Sequence, residues 1–376
     1  MKKIGIITMH TPINYGSYLQ TFALSKIIQD MGYDVEIVNY RYPTKYHKSL
    51  RPNDNSRGTK TLKEILKDIL VFFCNLIVWS SDKILQEKLD AFYEKYVKLS
   101  KPYTSYEDLE KDPPVYDIYI TGSDQVWNPK NVGFDKAYLL SWAKDGSKKI
   151  SYSASFGLKE LPAEYQALYK NELSKYDYIS TREASTIIPN LLGINNNIVL
   201  DPTFLFDREK WLSLAGEQPI IKGKYILCYI LSYRYNPYPY IYSLVDHIKE
   251  ITGYKVVFLD NDPIRIIHGY HLANNSSPLD FVNLFMHSSA VITTSFHGTA
   301  FAINANKPFL TIVNEESDDN RQLSLVRELG ISDACIVSKG TSPEKINLPV
   351  INYSAVNAIL GLKRDISIKF LKDALV

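Results

Sequence analysis

Cysteine is scarce in this sequence. Three stand in 376 residues, at Cys74, Cys228 and Cys335. An odd, widely spaced set forms neither a disulfide framework nor a zinc pattern, and it suits a reducing compartment. Charge of one sign is also lacking. The 43 Lys and Arg against 41 Asp and Glu leave +2, so no global basic field points to nucleic acid. No apolar run is long enough to span a bilayer. The longest, Ile69–Trp79, falls well short of the ~20 residues required. It sits among apolar residues at helical spacing (Leu62, Ile65, Leu66, Phe73). That pattern reads as core or helix-pair packing, with peripheral contact to a membrane surface as the other reading. Met1-Lys2-Lys3 precedes a short apolar run, but His10, Thr11, Pro12 and Asn14 interrupt it. A first strand is expected there, not a signal peptide. The expected location is the cytoplasm, at the inner face of the membrane if the 69–79 segment binds lipid.

Several signatures are missing. There is no G-x-G-x-x-G, no P-loop and no G-x-S-x-G elbow. His268 and His271 lie three apart without a clear carboxylate framework, so no metal site is expected. Solenoid repeats and low-complexity tracts are absent.

What is present is ordinary globular composition, 45% hydrophobic and 22% charged, which argues against disorder. The length favours two or three domains. Tyrosine is over-used, with 28 residues against 4 Trp. That surplus is compatible with sugar binding or with simple bias.

Short β-rich runs alternate with helical patterns. Strands are expected at Ile4–Met9, Val35–Tyr40, Tyr116–Thr121, Lys149–Ser155, Tyr176–Ser180 and Ile198–Leu200. A second series follows at Tyr225–Leu231, Lys255–Leu259, Ala290–Thr294 and Phe309–Val313. Helices are expected near Ser17–Met31, Leu62–Trp79, Asp82–Val97, Tyr240–Thr252, Leu279–His287, Ala300–Asn306 and Ile366–Leu375. The reading is α/β: two doubly wound, Rossmann-like domains facing across a cleft, residues 1–205 and 206–376. A helical insertion occupies about 43–110, and the last helix can pack back on the first domain.

In such sheets ligands sit beyond the carboxyl ends of strands, so the loops there are informative. The first carries Asn14, Gly16 and Ser17 before a helix N-terminus, which suits an anion. The second, Thr121–Pro129, offers Ser123, Asp124 and Gln125 for sugar hydroxyls and Trp127 for stacking. In the third, Ser155 and Gly157 follow a strand that loses bulk, which permits close approach. In the fourth, Thr181-Arg182-Glu183 is read as opening a helix, with Arg182 a fork of donors for an anion. The fifth turns from a strand through Ser295, Phe296, His297, Gly298 and Thr299 into a helix. A histidine at such a mouth can act as a general acid or donate to a phosphate.

Together these loops resemble the polysaccharide pyruvyl transferase family from Ile4 to about Val313. The marks are Asn14-Tyr15-Gly16, Gly122-Ser123-Asp124-Gln125-Val126-Trp127, Ser151–Gly157, Arg182-Glu183, Leu200-Asp201-Pro202-Thr203 and Ser295-Phe296-His297-Gly298. The resemblance implies a fold like the B-type glycosyltransferases (GT-B-like). It also implies transfer of pyruvate from phosphoenolpyruvate to sugar hydroxyls, forming a ketal on a cell-surface glycan or its precursor. Phosphoenolpyruvate would be the donor, with no cofactor, and the acceptor a sugar or lipid-linked glycan. The family's histidine maps onto His297 and its early arginine onto Arg182. Many members carry Arg-Leu-His where this chain has Ser295-Phe296-His297, and Arg321 is the candidate replacement. Asp124 is the candidate base or acceptor contact. Two rivals stand beside this reading. One is a nucleotide-sugar glycosyltransferase, using Glu315 or Glu316 after a second-domain strand. The other is a non-catalytic glycan-binding relative.

Overall fold

The computed structural model describes residues 1–41, 81–132, 134–232, 235–260, 262, 264–314 and 321–376. The helix expected over Leu62–Trp79, and Glu315 and Glu316, lie outside the described residues.

Every named strand runs parallel to its neighbours. The first sheet is built from β1 (Lys3–Ile7), β2 (Asp34–Ile37), β3 (Ile118–Thr121) and β4 (Lys148–Ser151), in the order β2-β1-β3-β4. A short pair, β5 (Ser180–Thr181) and β6 (Asn197–Ile198), continues it through bridges from Ile150 to Tyr178 and from Ala154 to Thr181. The second sheet holds β7 (Tyr225–Tyr229), β8 (Lys255–Phe258), β9 (His271–Leu272), β10 (Ala290–Thr293), β11 (Phe309–Val313) and β12 (Ile336–Ser338). Their order is β12-β11-β10-β7-β8-β9. Both halves are doubly wound and Rossmann-like, and together they make a GT-B-like α/β fold. The strand order reverses at β1/β3 in one half and at β7/β10 in the other, and crevices open at such points.

Local chemistry explains the elements. Strand residues such as Ile4, Ile6, Ile226 and Leu227 are fully buried, as continuous apolar strands covered on both faces must be. Helix α1 (Tyr15–Asp30) starts where the Asn14 side chain accepts from Gly16 N at 2.8 Å. The helix Pro278–His287 opens on a capping box between Ser277 and Asp280. The helix Tyr240–Thr252 stops at Gly253, whose φ of 68° is left-handed.

One apolar core crosses both halves, from Leu19 and Phe22 on α1 to Trp211, Phe281 and Phe301. Helix α2 (Ser81–Tyr96) closes over α1, with Tyr93 stacked on Tyr18 at 4.2 Å. The last helix, α5 (Tyr353–Leu375), is longer than Ile366–Leu375 and returns to the first half. Ser367 Oγ accepts from Leu200 N, and Arg364 donates to the Phe204 carbonyl. The tyrosine surplus serves this packing. Tyr15, Tyr152, Tyr169 and Tyr225 are buried, and each hydroxyl donates to a distant carbonyl. Rings fill the core while hydroxyls satisfy loop carbonyls.

Three expectations are corrected. Arg182 does not open a helix: it lies in the turn after β5, and the next helix is Ile187–Leu192. The strand expected at Tyr176–Ser180 is the two-residue β5, which shares only Ser180 with that range. The short strands β9 and β12 were not anticipated, because two or three residues carry no readable period. Among the described residues, no helix is long and apolar enough to cross a membrane.

Candidate functional site

The loops after β1, β3, β4, β5 and β10 converge between the two sheets. Asp124, after β3, sits at φ 74°, a left-handed backbone that costs non-glycine residues energy. Its neighbours hold it there: Ser155 N donates to its carbonyl at 2.9 Å. Its own Oδ1 accepts from Gln125 N at 2.9 Å, and Oδ2 from Ser17 Oγ at 3.4 Å.

Behind Asp124 lies a buried charge cluster. Asp201 follows β6 and is 2% exposed. Its Oδ1 accepts from Thr203 N at 3.0 Å and Thr203 Oγ1 at 2.8 Å. Its Oδ2 accepts from Ser123 Oγ and from Arg182 Nη1, each at 3.1 Å. His297 Nε2 approaches the same Oδ2 to 3.6 Å, just beyond hydrogen-bond reach, and has no hydrogen-bond partner. Arg182 also lies 3.8 Å from Asp124 and 3.5 Å from Glu183. Its Nε and Nη2 are buried without hydrogen-bond partners.

The electrostatics follow from this crowding. Burial raises the Asp201 carboxyl, but His297 and Arg182 outweigh it and hold the group far below the usual carboxylate range. Burial likewise opposes ionisation of Asp124, and His297, Arg182 and Arg321 together pull it down. Both carboxyls are charged at neutral pH.

Helix α3 (Phe296–Asn304) presents His297 from the second half. Phe296 has two guanidiniums near its ring, with Arg182 4.1 Å and Arg321 5.6 Å from the centroid. Arg321 begins helix α4 (Arg321–Glu328) and stands 4.0 Å from Asp124. Phe296 therefore packs against two arginines that both approach the Asp124 carboxylate.

A cavity of about 710 Å³ opens above the cluster. Asn14, Ser17, Asp124, Gln125 and Arg321 line it, together with His10, Asn39, Arg41, Gln86 and Tyr93. Arg182, His297 and Ser123 stand one layer deeper, off its wall. The remaining sequence candidates are turned inward. Trp127 is fully buried and its Nε1 donates to the Tyr138 carbonyl, so it presents no face for a sugar. Ser155 bonds the Glu183 carboxylate. Gly157 makes room for the Gln125 amide, since a Cβ there would meet Nε2 at 2.0 Å. Ser295 caps α3 through Gly298 N, and Thr299 Oγ1 donates to the Ser295 carbonyl and accepts from the Thr311 hydroxyl. Gly298 packs on Thr293.

Sequence reasoning named Asp201 and Phe296 only as parts of motifs and did not place His10 and Gln86 at the cavity. For Asp201 a signal existed: Asp-Pro-Thr after a strand is an Asx-type turn. Nothing local showed that its second oxygen would meet Ser123, Arg182 and His297.

Comparison with known proteins agrees with this architecture. No curated protein matches the chain. The UDP-GlcNAc 2-epimerase of Methanocaldococcus jannaschii, solved with UDP-GlcNAc and UDP, is similar at 15% identity and TM-score 0.50, over 97% of this chain and 94% of that one. The Neisseria meningitidis UDP-GlcNAc 2-epimerase bound to UDP-GlcNAc matches at 11% identity and TM-score 0.51, over 100% and 99%. At such identities the likeness concerns the fold alone. The model of the family described as polysaccharide pyruvyl transferase matches residues 14–316, a span that holds Ser17, Asp124, Arg182, Asp201 and His297 but not Arg321. With most of the chain matched, the protein belongs to the polysaccharide pyruvyl transferase family and is a transferase.

Proposed function

We propose that the protein transfers a pyruvyl group from phosphoenolpyruvate to two hydroxyls of a sugar in a cell-surface polysaccharide or its precursor. The observation that carries this reading is the meeting of Asp124, Arg182, Asp201 and His297 beneath a cavity walled by Arg321. Phosphoenolpyruvate brings a carboxylate and a phosphate. Arg321 and Arg41 line the cavity, and the α1 N-terminus adjoins it, so its anions have donors there. Arg182, with unbonded nitrogens, would reach them as the donor settles.

In the first step a proton from His297 goes to the methylene carbon of the donor, making a methyl group. A sugar oxygen bonds the neighbouring carbon and gives its proton to Asp124. Phosphate then leaves with the C–O electron pair, and the second sugar oxygen closes the ketal, its proton going to the phosphate. Asp124 lines the cavity and interacts with His297 behind it, so the proton that Asp124 takes from the sugar would return to His297 and restore both groups for the next turnover. Exclusion of water by the two halves would limit hydrolysis of the activated donor. The work would be done in the cytoplasm, on a sugar or lipid-linked acceptor. The family match and the amide and hydroxyl lining of the cavity support a sugar acceptor.

Incubation with phosphoenolpyruvate and glycan precursors should release phosphate and yield an acid-labile ketal whose methyl group is visible by NMR. Thermal stabilisation by nucleotide sugars but not by phosphoenolpyruvate would overturn the proposal in favour of glycosyl transfer.

A further inference from the structure

We infer that Asp201 is a positioning residue that fixes the ring of His297, and so selects which imidazole nitrogen exchanges a proton with the ligand. The inference rests on the proposed reaction for its consequence, not for its geometry.

Asp201 is built to be immobile. Two donors from Thr203 saturate Oδ1, which leaves Oδ2 pointing away from its own turn. Three elements far apart in the chain address that single oxygen: Ser123 from the β3 loop, Arg182 from the β5 loop and His297 from α3. The first two bind it at hydrogen-bond distance. The third is a buried ring nitrogen, with no other partner, aimed at it from 3.6 Å. Hydrogen bonds in unliganded sites are often long and tighten when ligand binds.

The other edge of the ring is fixed as well. Nδ1 and Cγ of His297 lie against Gly16, where an added Cβ would fall 2.2 Å from both. The ring is thus held between a carboxylate and a glycine. An acceptor-only carboxylate at Nε2 demands a proton on that nitrogen. The neutral ring is then the Nε2–H tautomer, and Nδ1 is the nitrogen available to gain and lose a proton. Nδ1 lies beside α1, whose neighbouring residues Asn14 and Ser17 line the cavity. Asp124 is a further charged group that interacts with the ring, Arg182 and Arg321 are in turn beside Asp124, and both Asp124 and Arg321 face the cavity.

Asp201→Asn separates this role from simple support. The amide oxygen can still accept from Thr203, so the turn survives. Its NH₂ then replaces Oδ2, loses the Arg182 hydrogen bond that the carboxylate accepted, and can donate to Nε2 only of an Nδ1–H ring, which favours the opposite tautomer. A comparable swap beneath a catalytic histidine costs roughly 10⁴-fold in kcat with geometry kept.

The test uses the full-length protein with ring-¹⁵N-labelled histidine. Long-range ¹H–¹⁵N spectra distinguish Nε2–H from Nδ1–H rings, and His297→Gln identifies the His297 signals among the seven histidines. The wild type should show Nε2–H, and Asp201→Asn should show Nδ1–H. Ser123→Ala, which removes a different partner of the same oxygen, should leave the tautomer unchanged. In turnover, Asp201→Asn should lower kcat by roughly 10²–10⁴-fold, and far more than it weakens phosphoenolpyruvate binding by calorimetry. A wild-type ring in the Nδ1–H form overturns the inference, and that measurement does not depend on the variant folding. An unchanged tautomer with near-normal kcat in Asp201→Asn overturns it equally. The spectra are read without ligand. Expected tautomers in a protein that binds no phosphoenolpyruvate would therefore support the Asp201–His297 coupling while sinking the proposed donor.

Discussion

Gly16 and His297 come from opposite halves of the molecule and touch. A Cβ on Gly16 would fall 2.2 Å from Cγ and Nδ1 of the imidazole. Glycine is needed at this helix start because a ring from the other half occupies the side-chain space, and no left-handed φ is involved. Gly16→Ala should therefore push His297 aside. We expect a destabilisation of about 1–3 kcal/mol, as for overpacked cores, and a loss of turnover of at least roughly tenfold. In a His297→Ala background the stability cost should largely vanish. Urea titration of the double-mutant cycle measures this, and additive effects would count against the contact.

Removal of Arg182 should damage more than ligand binding. Its guanidinium neutralises Asp201 and lies near Asp124 in a buried cluster. Arg182→Ala leaves those carboxylates underpaired, at a cost of about 3–5 kcal/mol. Arg182→Lys should recover part of the stability but little of the phosphoenolpyruvate affinity, because an ammonium lacks the planar fork. Thermal denaturation and calorimetry on both variants separate the two effects.

Arg321 lines the cavity that Arg182 only underlies. Arg321→Ala should raise the dissociation constant for phosphoenolpyruvate roughly 10–100-fold, the worth of a charge-assisted hydrogen bond. Isothermal titration checks it. An unchanged constant would remove Arg321 from the donor site and leave the replaced basic motif without a substitute.

His297→Ala should abolish pyruvyl transfer while the protein stays folded, because the truncation removes one of the groups that approach Asp201 and leaves the Ser123, Arg182 and Thr203 bonds in place. Circular dichroism and phosphate release on the same sample decide the point. Near-normal turnover would end the role assigned to the imidazole.

Acid should destabilise the protein through the same cluster. Asp201 and Asp124 ionise below the ordinary carboxylate value of 3.8 in the folded state. Groups with depressed folded values contribute stability that is complete above the unfolded value and lost as pH falls through the folded one. Urea midpoints should therefore hold from pH 7 to about pH 5 and fall steeply below about pH 4. In Asp201→Asn that acid-side loss should be smaller, although the variant starts lower.

The sequence reading placed some elements to the residue. The helix Tyr240–Thr252 and the strand Phe309–Val313 appear with the boundaries their periodicity predicted. Both are local: an apolar stripe with a glycine stop, and a short run that is mostly apolar and ends in three β-branched residues. The post-strand loops were legible for the same reason, since a strand, a small residue and a helix start can be read within ten residues.

Direction and partnership were not local. Trp127 was read as a stacking platform, yet it turns inward to the Tyr138 carbonyl. A sequence records the residue but not which side of its loop the core will cover. Arg182 was expected at a helix N-terminus and stands instead in a turn, where its charge is met by Asp201.

By itself the sequence determined the α/β alternation, the loops that could carry chemistry and the near-neutral charge that forces any anion site to be local. Only the tertiary structure decided that Asp201, Arg182 and His297 share one carboxylate oxygen, that Phe296 packs against two arginines, and that Gly16 yields its space to a ring from the other half. Helices and strands follow from contacts between near neighbours in the chain. A buried charge cluster exists only once two sheets have closed over residues that are strangers in sequence.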